Sequence, residues 1–347
     1  MRKSLYLSVV TLLGAAALAQ PAAAQDYAKT TSGGTTVWAG GGVQFLSLPD
    51  IHFTGKRKSN GSVNRQPNTE SGWLDFGGAT GAGLETPLGN WGGFNVSGSI
   101  DGFWSNVEGN RRTRCKGSCV VFDPATSAAF NSTRLNTKTD RDADYWGAKA
   151  GLKFGTGAPT EVKPQIYRND YFLVGFDVRG IDQNNKLHSS QGTVFTLKET
   201  LDTTYTGGYI GFGGEYSFGF IPGIKNVGGI YDRLGLRTFI NATAGFYNAS
   251  TDYSGRFTGP ATNRLGRSSD DFAFIGTVSL ETRKQLSART SLSLWTDYEY
   301  ISSVPDMHYA NSNKPTSIST DDVFATRTML RLNIGLGSQR LYTGGGY

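Results

Sequence analysis

Cys115-Lys-Gly-Ser-Cys119 holds the only two cysteines of a 347-residue chain, four positions apart. A pair so close, in an oxidising compartment, reads most simply as a local disulfide pinning the tip of a loop. A metal site would need more soft ligands, and no His lies anywhere between 107 and 142. Arg111, Arg112, Arg114 and Lys116 surround the pair with positive charge. A second set of groups could move protons. Asp306-Met-His308 places a carboxylate beside an imidazole, and Asp140-Arg-Asp142 with Asp144 supplies three more acids. A His oriented by a carboxylate can act as a base toward water, so any enzyme reading starts there. Both are two-residue matches in an Asp-rich chain, and solvated loop residues account for them more simply. His52 and His188 have no visible partner. No Ser-His-Asp order, nucleotide loop or Ca²⁺ loop is found, so the expectation is a protein that is not an enzyme and carries no cofactor.

The elements that must position these groups are strands. The chain contains 47 Gly, 20 Phe and 16 Tyr but 3 Met, a composition that favours sheet over helix. Its mean hydropathy of −0.33 excludes a bundle of membrane helices. The one sustained apolar run is Leu5 to Ala19, short of the ~20 residues a spanning helix needs. Arg2-Lys3 precede that run, and Ala22-Ala23-Ala24 before Gln25 forms an A-x-A cleavage site, with Ala17-Leu18-Ala19 as a second candidate. Basic start, apolar centre and small-residue end make residues 1–24 a cleaved signal peptide, and 25–347 a single mature domain. The net charge of +6, less Arg2 and Lys3, leaves +4, too little to argue for nucleic acid.

From residue 35 onward, apolar residues recur at every second position. Phe94, Val96, Ile100 and Trp104 share one face of a strand, with Asn95, Ser97, Ser99 and Asp101 on the other. The same reading repeats to give about ten strands (range 8–12), near 35–47, 71–86, 92–106, 143–156, 170–182, 203–219, 234–248, 270–284, 290–302 and 322–337. Connections alternate between short, Gly/Pro-marked turns and long polar loops at 48–70, 107–142, 183–202, 249–269 and 303–321. Phe94 and Trp104, Phe172 and Phe176, Phe212 and Phe218, and Tyr298 and Tyr300 place aromatics near the ends of the apolar faces, as an interfacial belt would. The opposite faces are charged, which a soluble sandwich core could not tolerate. In lipid every backbone group must pair, so the sheet must close with its polar face inward. The fold expected is all-β, a closed antiparallel transmembrane barrel with long extracellular loops and short periplasmic turns.

Eight acids and seven bases fall on the inward faces: Asp75, Glu85, Asp101, Asp177, Glu215, Glu281, Asp297 and Glu299, against Lys149, Lys153, Arg179, Arg237, Arg283, Arg327 and Arg331. So balanced a set reads as an internal ion-pair network. Trp73, Phe103, Tyr205, Tyr209, Trp295 and Met329 share that side and take up volume. A barrel this small can be filled by side chains, so the lumen is expected to be largely occluded.

The leader, the aromatic-edged alternation and the segment Tyr205-Thr-Gly-Gly-Tyr-Ile-Gly-Phe-Gly-Gly-Glu-Tyr-Ser-Phe-Gly219 resemble small porin-like and immunogenic outer-membrane β-barrel proteins of Gram-negative bacteria. The resemblance covers 25–347 as a pattern of composition, and Tyr342 or Tyr347 stands where such families place a terminal Phe. It implies insertion by the barrel-assembly machinery, an outer-membrane location, and contact with membrane lipid and lipopolysaccharide, whose phosphates the basic cluster at 111–116 could meet. The function it implies is structural or surface-interacting, with a narrow porin-like channel as the alternative. Asp140-Arg-Asp142 and Asp306-Met-His308 also resemble the Asp-x-Asp and Asp-x-His pairs that omptins, ten-stranded outer-membrane proteases, hold facing each other above the barrel. Here Asp-x-His falls in the fifth loop instead of the fourth, and a rim protease is a distant third reading.

Overall fold

A strand with one apolar and one charged face is stable only where both find a matching environment, and here long strands achieve this by pairing around a ring. The computed structural model describes residues 29–30, 34–66, 68, 75–156, 160–163, 166–217, 236–287, 289–309, 315–336 and 341–342. The leader expected at 1–24, Trp73, Phe218, Tyr347 and the turn expected near 220–233 lie outside the described residues. The strands are β1 Lys29–Thr30, β2 Thr35–Leu46, β3 Thr54–Arg57, β4 Val63–Gln66, β5 Asp75–Trp91, β6 Phe94–Phe122, β7 Ala129–Gly155 and β8 Thr160–Lys163. They continue as β9 Ile166–Gln191, β10 Thr196–Ser217, β11 Leu236–Thr258, β12 Thr262–Gln285, β13 Thr290–His308, β14 Ser317–Leu336 and β15 Leu341–Tyr342.

Hydrogen bonds run β2-β14-β13-β12-β11-β10-β9-β7-β6-β5 and return from β5 to β2, so ten antiparallel strands form a ring. Each overlaps one of the ten strands expected from alternation. The ring is uneven, with 12 residues in β2 and 29 in β6. Gly92 and Gly93 make the β5–β6 turn with φ of 58° and 89°, left-handed values that favour glycine in a two-residue hairpin turn.

The loops differ from expectation. The stretches 107–142, 183–202 and 249–269 are mostly paired strand, closed by tight turns such as 123–128 and 259–261. The reason lies in which face is apolar. Low on β11, Phe246 points outward and is 62% exposed; higher on the same strand, Tyr253 and Phe257 point inward and are buried. Strands β9 and β10 switch likewise, from outward Phe176 and Phe212 to inward Leu187 and Leu197. The alternation never breaks, but its apolar side changes from outside to inside partway up the wall.

Two zones result. The lower zone carries a belt of exposed large apolar residues, including Ile210 at 69%, Phe212 at 66%, Phe272 at 64% and Phe324 at 61%. On β6 the belt runs from Phe94 to Trp104, both exposed. The upper zone has a polar exterior and its own buried cluster, in which Phe53, Leu135, Leu187, Phe195, Leu197, Phe257 and Tyr309 meet.

Candidate functional site

The inward charges sit on alternate positions of nine ring strands, β5 to β7 and β9 to β14, and the barrel brings them within reach of one another. Arg179 on β9 donates to Asp177 at 2.6 Å and pairs with Glu299 on β13, four strands away around the ring. Glu299 also accepts from the Tyr145 hydroxyl on β7 and from Thr277 Oγ1 at 3.1 Å. Tyr247 donates to Asp177 at 3.1 Å. The Arg179 and Tyr145 contacts with Glu299 cross the lumen and tie opposite walls together. Arg327 donates to Asp297 at 2.5 Å while lying 3.5 Å from the Phe103 ring centre, and Ser279 and Trp295 also donate to Asp297.

The remaining inward groups pair closer to the wall. Lys149 stands 3.6 Å from Asp101, Lys153 3.2 Å from Glu85, Arg237 2.9 Å from Glu215, Arg283 2.8 Å from Glu281 and Arg141 3.5 Å from Asp75. Arg331 is held by aromatic faces instead of a carboxylate, 3.9 Å from Trp38 and 3.6 Å from Trp295. Such a placement lets an arginine keep its charge against ring quadrupoles. All fifteen inward charges named from the sequence therefore lie against a partner within the barrel. Phe103 packs on Tyr145, and Tyr205 and Met329 are buried. Tyr209 leans over Gly151 and Gly175, where any added Cβ would collide with its hydroxyl.

Above the network, residues 48–66 and Asn68 of the chain fold in among the upper strands. Phe53 from this segment is fully buried, 5.0 Å from Tyr309 and 5.4 Å from Phe195 by ring centres. The segment's backbone polar groups are satisfied inside. Asn68 Oδ1 accepts from the Phe53 and Thr54 amides at 2.9 Å each. Arg65 donates to the carbonyls of Phe53 and Tyr309 at 2.9 and 2.8 Å, and Arg141 to that of Pro49 at 2.6 Å. Strand β3 then pairs with the top of β6. There Cys115 and Cys119 form the disulfide. It lies in a strand and not at a loop tip: the bond spans a bulge between Lys116 and Cys119, with Gly117 at φ 93°, and both cysteines are buried beside Phe53 and Leu135.

The residues of the protease reading are not brought together. β7 and β13 stand on opposite sides of the ring, five strands apart. Asp140 and Asp142 sit on the outward face of β7, Asp140 held by Lys138 at 2.5 Å and Asp142 by Asn106 at 2.6 Å; Asn106 also donates to Asp144 at 3.0 Å. Arg141 between them is the residue that points inward. Asp306 borders a crevice of about 10 Å³ shared with Pro49, Arg141 and Tyr309, room for no more than about one water. Burial raises its carboxyl above the ordinary range, against the opposing pull of His308 and His52.

One buried acid was not anticipated. Glu199 on β10 is 4% exposed and accepts from Tyr309 at 2.6 Å and Tyr253 at 2.7 Å. Burial pushes its carboxyl from 4.5 up to about 7, partly offset by these two hydroxyls. Its inward parity with Leu197 and Leu201 was readable once β10 was carried above residue 203. A folded-state value raised above the unfolded one means stability is complete below about pH 4.5 and falls as pH climbs toward 7. Full ionisation costs about 3 kcal/mol. Amide exchange in residues 48–57 should therefore speed up between pH 5 and 7.5 beyond its intrinsic pH dependence, and Glu199→Gln should remove the excess. An excess that survives in the Gln variant would refute this role for Glu199.

No protein-family model and no curated protein matches the chain. Among solved structures it is similar to the outer membrane protease OmpT from Escherichia coli, at 8% identity over 90% of this chain and 100% of that one, with a TM-score of 0.45. The Pseudomonas putida toluene transporter TodX matches at 9% identity over 87% and 89% of the two chains, TM-score 0.31. A Pseudomonas aeruginosa FadL homologue matches at 7% identity over 87% and 90%, TM-score 0.26. At such values these likenesses carry no argument about what this chain does.

Proposed function

We propose that the chain is an outer-membrane β-barrel protein with a closed lumen, whose role is structural or surface-interacting and not enzymatic. The observation that carries the membrane assignment is the belt. Eleven residues of β6, from Phe94 to Trp104, span it, which fits the ~9–11 residues a tilted strand needs to cross a bilayer. Exposed apolar surface of this extent around a whole wall has no place in water, and a ring of paired strands leaves no backbone group unsatisfied in lipid. The polar, ion-paired interior and the segment 48–66 folded in among the upper strands support the closed-lumen reading. The leader at 1–24 fits export, with insertion by the barrel-assembly machinery.

The test has two arms. Refolded mature protein should float with phosphatidylcholine vesicles and migrate differently on gels when unheated; a chain that stays monomeric in detergent-free water would sink the membrane reading. In planar bilayers it should show no steady conductance. Regular single-channel steps from the wild type would replace the closed-lumen reading with the narrow-channel alternative.

A further inference from the structure

The two longest strands, β6 with 29 residues and β7 with 27, end at the outer tip in a group of cations. Arg114 and Lys116 stand on the outer face of β6, and Lys116 faces Arg134 of β7 directly. Lys56 joins them from β3: it pairs with Cys119, and its ammonium lies 3.8 Å from where a Cβ on Gly117 would sit. All four are exposed. Like charges directly opposite one another weaken a sheet. Among the described residues none of the four makes an ion pair. The acids of the outer wall lie lower. Asp140 is four residues below Asn136, the partner of Arg114, and is held by Lys138; four residues of strand span ~13 Å. Glu108, Asp142 and Asp144 are lower still. Beyond Glu108 on β6, beyond Asp140 on β7, and throughout β3 and β4, the strands contain no acid. Asp123, in the turn between β6 and β7, is fully buried and accepts from Asn263 and the Ala125 amide.

Height, spread and neighbours decide what such a surface fits. Lys116 stands twelve residues above Trp104, the top of the belt on β6. That is ~40 Å along the strand and ~30 Å along the barrel axis at a tilt of ~40°. The polar zone of a leaflet is only ~5–8 Å deep, so lipid-level phosphates end well below. The cations spread over three strands instead of converging on one point, which suits a chain of charges more than a single ion. Exposed Ser118 and Thr133 lie beside them, and Asn136 faces Arg114, neutral groups that can bond hydroxyls. Among the described residues of β6 and β7, no aromatic or large apolar side chain is exposed above Trp104. Single-stranded nucleic acid is gripped by stacking on aromatics, and protein partners by buried aromatic or apolar anchors. Neither anchor is present.

We propose that the outer tip of β3, β6 and β7 is a docking surface for an anionic polysaccharide of the external medium, one carrying carboxylate or sulfate groups along its chain. Lys56, Arg114, Lys116 and Arg134 pair with those groups, and Ser118, Thr133 and Asn136 meet the sugar hydroxyls. The proposal rests on the surface-interacting reading above and names the class of its partner.

The test uses full-length mature protein in detergent micelles and measures the binding of fluorescein-labelled polymers by anisotropy. The probes are dextran sulfate, polygalacturonate, uncharged dextran and a DNA duplex. Both anionic polysaccharides should bind at least tenfold more tightly than dextran or the duplex. Lys116→Gln/Arg134→Gln should weaken them at least tenfold. Lys186→Gln/Lys198→Gln, an equal change of charge on the outer wall where Asp140 faces Lys186, should change binding less than twofold. Both variants should keep the wild-type mobility on unheated gels. Equal losses in the two variants would overturn the proposal by reducing the effect to net charge. A duplex bound as tightly as the polysaccharides would overturn it in favour of nucleic acid. Vesicle flotation separates the two levels. A wild type that floats but binds neither anionic polysaccharide loses only this surface; one that does not float loses the membrane reading, and with it the outward exposure this proposal needs.

Discussion

Glu299→Ala should lower the stability of the folded barrel by about 3–5 kcal/mol, seen as a drop in the urea midpoint for folding into liposomes. Glu299 receives Arg179, the Tyr145 hydroxyl and Thr277 together. Its removal leaves the buried Arg179 guanidinium with Asp177 as its one carboxylate and a buried phenol without its acceptor. The loss is large because the freed guanidinium N–H and phenol groups cannot re-solvate inside the barrel, whereas an exposed pair such as Lys138–Asp140 is worth ~1 kcal/mol or less. Glu299→Gln keeps most of the hydrogen-bond geometry and should fall between wild type and Ala. A cost for Glu299→Ala no greater than for Lys138→Ala would show that the network does not hold the walls.

Val278→Arg should cost about 2–4 kcal/mol, the price of a cation near the bilayer midplane on a barrel's lipid face. Val278 is 49% exposed within the belt of β12. Its neighbour Thr277 points inward, where Thr277→Ser retains the hydroxyl that reaches Glu299 and should be nearly silent. Folding yield on unheated gels reports both. Equal tolerance at 277 and 278 would mean the two faces are assigned the wrong way round. Gly151, also inward, does not share that tolerance, because a side chain there strikes Tyr209.

The belt half of the fold was legible because its outward residues are apolar and its inward ones charged, so period two stood out at Phe94–Trp104 and Phe272–Leu280. Ion-pair partners were not legible. Arg179 and Glu299 lie 120 positions apart, and only ring closure sets them face to face. The upper strands were missed because their apolar residues point the other way. Leu187, Leu197 and Phe257 are spaced by polar outward neighbours such as Lys186, Lys198 and Arg256, which resemble loop composition when read for a lipid-facing stripe. Glu199, Arg141 and the segment folded in among the upper strands went unseen for the same reason, and Cys115 and Cys119 were placed in a loop that is strand.

That reversal gives one wall two different thermodynamic characters. Below, the apolar side chains leave water for lipid whether or not the interior is well packed, so water-driven folding contributes little there. Above, Phe53, Phe195, Leu197 and Phe257 leave water for one another. The heat-capacity increment of opening should thus come almost wholly from the outer end, since it follows apolar surface newly exposed to water. Cooling weakens that kind of stabilisation. The end of the barrel that rises above the belt is consequently the end whose packing depends most on temperature.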